Sequence, residues 1–227
     1  MMLTRFPQPA LPGNMDGANT VGSRIVWKHG MLRSQKSQGT NNGHSRSGIH
    51  ALPTFDGDAV NIVVETPKGG RAKMKYDEAA DVFRFEKLLP LGQAFPFDFG
   101  FLRATEGGDG DPLDVLLIGE EPAPVGCVVL GKIVGVLEGK QTENGKGERN
   151  DRIIAVPVDG KSRKPMTPVP RIDKELTKSI SDFFVSYNAL QGKKFVPLGM
   201  HGRKRALRLV KSRMQQVQRK KAAPSQQ

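Results

Sequence analysis

The chain has 227 residues, 35 Lys and Arg against 23 Asp and Glu, a formal net charge of +12, 37% hydrophobic residues and a single cysteine, Cys127. One thiol cannot build a disulfide scaffold, and no stretch approaches the roughly 18 to 20 uninterrupted apolar residues of a spanning helix, so a cystine framework and a transmembrane protein are both excluded. The lone thiol suits a reducing, cytoplasmic setting.

The positive charge is uneven. Residues 1–53 carry six Lys or Arg and one acid, Asp16; residues 54–182 carry 18 against 22; residues 183–227 carry 11 against none. Residues 1–53 are rich in Gly, Ser, Asn and Gln, with runs such as SQKSQGTNNGHSRSG and scattered His29, His44 and His50, and are expected to be a disordered leader. From Ala59 the pattern changes. AVNIVVE, AKMKY and DVFRFE read as short strands, with PKGG as a turn, followed by the apolar strands DVLLIG, CVVLGKIVGVLE and DRIIAVPV. Five or six short strands with Gly and Pro punctuation predict a small closed or nearly closed barrel, in a domain drawn at 54–200. In DKELTKSISDFFVSYNAL the residues Leu176, Ile180, Phe183, Phe184, Tyr187 and Leu190 make one apolar stripe behind an N-cap at Asp173, which predicts a helix packed on the barrel. Residues 201–227 read as a basic tail, helical or disordered. The fold class is α+β and mostly β.

The sharpest chemical signal is Asp109-Gly110-Asp111-Pro112-Leu113-Asp114, directly ahead of the strand VLLI. Three carboxylates in six residues repel one another unless a cation neutralises them, and Mg²⁺ favours such oxygen ligands. An acidic surface turn is the plain alternative. Around the turn stand Glu65, Lys73, Lys87 and FPFDFGF upstream, and Asp151, Arg152 and Tyr187 downstream.

In order and spacing, residues of about 60–200 resemble family I soluble inorganic pyrophosphatases: DGDPLDVLL is close to that family's signature, and VGVL, IIAVP and the FF…Y helix follow it as expected. The resemblance implies an OB-like five-stranded barrel and a Mg²⁺-dependent hydrolysis of pyrophosphate to two phosphates by a metal-activated water. It also implies the roles. Asp109 and Asp114 are metal ligands, Asn150 takes the place of a third, and Glu65 supports the metal through water. Asp111 accepts the proton of the attacking water. Lys73, Lys87, Arg152 and Tyr187 hold phosphate oxygens, with Lys73 and Arg152 also counted as catalytic. A homo-oligomer, dimeric or hexameric, is implied in the same way.

The sequence departs from that family's pattern at several of these places. Lys75 stands where Glu is usual, Lys87 for Arg, Phe95 and Phe99 for two Tyr, Asn150 for Asp, and Asn188 where Lys follows the Tyr. Asp151 is adjacent to Asn150, but neighbouring strand residues point to opposite faces; Glu143 or Glu148 of the preceding loop are further candidates for an acidic ligand. The alternating Phe95, Phe97, Phe99 and Phe101 are expected to fill a strand face, Lys75 to be solvated, Asp98 to be a turn or edge charge and His201 to lie on the surface. Two alternatives follow: a pyrophosphatase-like protein with weakened catalysis that binds phosphate compounds, or an OB-type nucleic-acid binder acting through the basic tail. Deleting residues 203–227 is expected to leave hydrolysis intact.

Overall fold

Runs that are apolar at successive positions, such as AVNIVVET and RIIAVP, form strands covered on both faces. A computed structural model describes residues 48–222. In chain order these are a 3₁₀ turn (Gly48–Ala51), β1 (Phe55–Asp56), β2 (Ala59–Thr66), β3 (Ala72–Asp77), β4 (Val82–Leu88), β5 (Asp98–Leu102), β6 (Leu113–Leu117), β7 (Val128–Glu143), β8 (Lys146–Arg149), β9 (Arg152–Pro157), α1 (Lys174–Ala189), β10 (Lys194–Gly202) and α2 (Arg203–Ala222). Among them no helix is long and apolar enough to cross a membrane.

Five strands close on themselves as β2–β5–β6–β9–β7 and back to β2. The β6–β9 pair is parallel and the others antiparallel. Closure depends on the 16 residues of β7, which pair with β2 at one end, with β9 in the middle, and with β10 and β8 at the far end. The ring is the predicted OB-like barrel, with one exchange of strands. β3 and β4 form a separate hairpin, and β5, from the Phe run, takes a place in the ring. β5 is buried at every position whereas β4 is largely exposed, and Gly100 lets β5 approach so closely that an added Cβ would lie 2.1 Å from the Val63 carbonyl oxygen.

Alternation divides the core. Val115, Leu117, Ile153 and Ala155 share one cluster with Ala206 and Val210 of α2, and the intervening Leu116 and Ile154 share another with Ile180, Phe184 and Tyr187 of α1. The α1 stripe is as predicted through Tyr187, and Asp173 caps the helix by accepting from the Leu176 N–H at 3.0 Å; Leu190 is instead the exposed C-cap.

The expected boundaries shift at both ends. Residues 1–47 of the expected leader, with His29 and His44, lie outside the described residues. Residues 48–53 do not behave as leader: Ile49 and Leu52 pack against Val63, Tyr76 and Phe101. The boundary at 200 falls inside β10, and α2 beyond it is helical with Ala206 and Val210 fully buried in the barrel core.

Candidate active site

A cleft of about 400 Å³ opens between the β3–β4 hairpin, the β5–β6 loop, the start of β9 and the end of α1. Glu65, Lys73, Lys87, Asp109, Asp111, Asp114, Asn150, Arg152 and Tyr187 all line it. The nine residues to which the resemblance gives roles therefore meet in one place.

The acidic wall is a loop held at its neck. Thr105 donates to the Leu102 carbonyl at 2.7 Å and accepts from the Leu113 N–H at 2.9 Å, and the Gly107 N–H donates to the Asp111 carbonyl at 2.6 Å. Gly110 takes φ 87, a left-handed conformation open to glycine, and Gly108 lies so close to the Arg149 carbonyl that a Cβ would be 2.4 Å from it. Asp109 accepts from the Asp111 N–H at 3.3 Å. Burial raises the Asp109 pKa, nearby Arg152 opposes this, and Asp111 adds to it. Burial likewise pushes Asp114 up to about 6 despite Arg152, and Glu65 up to about 7 despite the hydrogen bond that Glu65 accepts from the Tyr76 N–H at 2.7 Å.

The basic wall depends on an irregularity. Lys73 pairs across the hairpin with Lys87, while the next register pair is Met74 with Phe85, leaving Glu86 as an extra, bulged residue. In a regular strand Glu86 and Lys87 would face opposite ways. Here both line the cleft, and Glu86 bridges Lys73 at 2.7 Å and Lys87 at 3.2 Å. Lys87 also donates to Gln191, just beyond α1. Burial opposes the charge on Lys73, but Tyr187, Glu86 and Asp114 together raise its pKa. Glu86 and Gln191 also line the cleft, and sequence reading did not single them out. The only signal for Glu86 was its place beside Lys87.

Arg152 joins the walls. It is 4% exposed, lies 4.9 Å over the Phe184 ring, bonds Asn150 Oδ1 and contacts Asp114 at 2.7 Å. Asn150 in turn donates to Gln141 at 3.1 Å. Asp151 does not line the cleft: its carboxylate accepts from the Gly139 N–H at 3.0 Å and from Arg149 at 2.8 Å. Glu143 and Glu148 line an adjoining cavity of about 270 Å³ that shares Asp109, Gln141 and Asn150 with the cleft, and Glu143 pairs with Lys193 at 2.8 Å.

Phe95 and Phe99 are buried among Phe183, Phe184 and Tyr187, in keeping with a packing role, while Phe101 belongs to the separate cluster with Val63 and Tyr76. Asn188 donates to the Phe184 carbonyl within α1. Lys75 is exposed, as expected, and is also ion-paired with Asp111 at 2.9 Å. One expectation is corrected: Asp98 is buried, accepting from the Lys68 N–H at 2.7 Å and the Ala123 N–H at 3.0 Å.

The donor set can be tested against a metal. Its groups are all oxygen, and burial, with a smaller addition from neighbouring carboxylates, destabilises their negative charge, the chemistry that a hard divalent cation relieves. Among the described residues no three His, Cys, Asp or Glu side chains gather as one ligand group. The cleft thus fits a hard cation in chemistry, with fewer than three charged ligands at a point.

A closed five-stranded barrel whose cleft sets Asp109, Asp111 and Asp114 against Lys73, Lys87 and Arg152 has the features of a hydrolase site for a small polyanion. Residues 62–218 match the model of the inorganic pyrophosphatase family, and the chain belongs to this family of metal-dependent hydrolases. It is 35% identical over 142 residues to the inorganic pyrophosphatase of Methanosarcina acetivorans, covering 63% of this chain and 82% of that one. It is 30% identical to soluble inorganic pyrophosphatase 2 of Chlamydomonas reinhardtii, covering 70% of this chain and 81% of the relative. The crystal structure of the Thermus thermophilus inorganic pyrophosphatase superposes with a TM-score of 0.65 at 28% identity, over 76% of this chain and 99% of that one.

Proposed function

We propose that the cleft hydrolyses inorganic pyrophosphate to two phosphates with Mg²⁺. The observation that carries this is the convergence of the acidic turn with Lys73, Lys87 and Arg152 on one cleft, in a chain of this family. Asp109 and Asp114 would hold the cation, with the neutral Asn150 oxygen beside them and Glu65 acting through water. Bound there, Mg²⁺ supplies charge neutralisation and lowers the pKa of water. Lys73, Lys87, Arg152 and Tyr187 hold phosphate oxygens, and the fixed guanidinium of Arg152 limits how far the substrate can shift. Water attacks one phosphorus, its proton passes to Asp111, and the bridging P–O bond breaks to release the second phosphate. Phosphate release from pyrophosphate across a Mg²⁺ titration tests this reading, and no release at any Mg²⁺ concentration refutes it.

The Lys75–Asp111 pair favours a second reading, weakened catalysis with retained binding of phosphate compounds, because Lys75 occupies Asp111 Oδ2 and leaves only Oδ1 to take a proton. Calorimetric binding of pyrophosphate without turnover would support it. We further place the protein in the cytoplasm as a homo-oligomer, on the grounds of its free Cys127 and its family. Nucleic acid would reach it through α2, where Lys204, Arg208 and Lys211 are exposed along one face; changing all three to Gln should lower retention on heparin without altering hydrolysis.

A further inference from the structure

We propose that Lys193 is a phosphate-binding residue of the cleft: its ammonium takes a phosphate oxygen beside the end of α1, and Glu143 holds it there until the anion arrives. This rests on the reading that the cleft binds pyrophosphate and its product.

The end of α1 delivers Lys193 to the cleft. The side chain of Asn188 is buried, 1% exposed, and donates to the Phe184 carbonyl at 2.8 Å, so its amide nitrogen is occupied within the helix. The Asn188 backbone carbonyl accepts from the Gln191 N–H at 2.9 Å and from the Lys193 N–H at 3.0 Å. Gly192 between these two takes φ 70, the left-handed conformation that closes a helix. Gln191 and Lys193 both line the cleft as a result, together with Tyr187. Lys193 lies one step beyond the last β7–β10 pair, Lys194 with Thr142, and its ammonium meets Glu143 at 2.8 Å.

That partner sets Lys193 apart from the other cations of the cleft. Lys73 and Lys87 are bridged by Glu86, Lys75 by Asp111 and Arg152 by Asp114, and these three carboxylates line the cleft themselves. A phosphate at those cations shares each of them with a carboxylate. Glu143 lines the adjoining cavity and not the cleft, and its side chain is 50% exposed against 26% for Lys193. A carboxylate so placed turns to water at little cost, because solvent replaces the bond it loses. The ammonium then stays at the cleft wall with its charge and three donors, and among the described residues no cleft carboxylate lies within ion-pair distance of it. Phosphate oxygens accept such charge-assisted hydrogen bonds.

A brace at the end of the sheet is the alternative role for this ion pair, and the two roles predict different signs. The test is calorimetric titration of inorganic phosphate into the full chain with Mg²⁺ present, for the wild type, Lys193→Gln, Lys193→Arg and Glu143→Gln. Lys193→Gln should weaken phosphate binding roughly 10-fold, and Lys193→Arg should bind as the wild type does. Glu143→Gln removes the competing carboxylate and leaves the ammonium, so it should tighten binding about 2-fold. Equal weakening in Lys193→Gln and Glu143→Gln is the result of a brace and overturns the proposal, as does unchanged binding in Lys193→Gln. If Lys193→Gln does not fold, the sign of the Glu143→Gln change decides. A wild type that binds phosphate but releases none from pyrophosphate refutes the proposed hydrolysis and leaves this outcome standing, whereas a wild type that binds no phosphate refutes both.

Discussion

Asn150 and Arg152 reach the cleft from alternate positions, and Asp151 between them turns away to Arg149 and the Gly139 N–H. That alternation was legible in the sequence, because a period of two is all it needs. The Asp turn was legible for a similar reason: its carboxylates are neighbours, and Gly and Pro state the turn themselves. Glu86 was hidden because the same rule of alternation sends it away from Lys87, and only the bulge opposite Lys73 brings both to one side. Asp98 was misread because its two backbone partners, near residues 68 and 123, are distant in sequence. At this scale the neutral Asn150 is the clearest handle. Asn150→Asp should lower the Mg²⁺ concentration for half-maximal phosphate release, since a carboxylate there adds charge to the cation site. A higher or unchanged half-maximal concentration would remove Asn150 from that site.

Among the elements, α2 differs most from its expectation. Its basic residues dominate the sequence, yet Ala206 and Val210 recur at a helical spacing of four and enter the same cluster as Val115, Ile133 and Ile153. The charge masks a weak apolar stripe, which is why the sequence pattern points to a domain end at 200. We propose that the folded domain runs through α2. Val210→Ala should cost about 2 kcal/mol in unfolding free energy, from two buried carbons and the space they leave. Deleting residues 203–227 should destabilise the barrel and reduce hydrolysis with it, contrary to the expectation from sequence. Chemical denaturation of both variants checks this, and an unchanged midpoint for Val210→Ala would show that the helix adds nothing to the core.

Across the whole molecule, buried Glu138 of β7 ties three elements together. Arg205 of α2 contacts it at 2.6 Å, Arg149 of β8 at 2.9 Å and His201 of β10 approaches to 4.0 Å, while Asp151 shares Arg149. The Arg205 hydrogen bond, opposed by burial and reinforced by Arg149, lowers the Glu138 pKa from 4.5 to about 2. A depressed carboxylate pKa contributes stability that is complete above the unfolded value and is lost as pH falls through the folded one. The contribution should therefore fade between about pH 4.5 and pH 2. Glu138→Gln should lower Tm at pH 7 and lose less on acidification than the wild type. Parallel acid limbs for the two proteins would show that Glu138 is not the coupling group.

The cleft's proposed chemistry meets its most direct test in Asp111→Asn, assayed beside the wild type for phosphate released from pyrophosphate at saturating Mg²⁺. The wild type should turn over, and the amide, which fills the same space but accepts no proton, should reduce turnover by about 10²- to 10⁴-fold with the fold intact by circular dichroism. Equal turnover in the two proteins, or none in the wild type, would contradict the account.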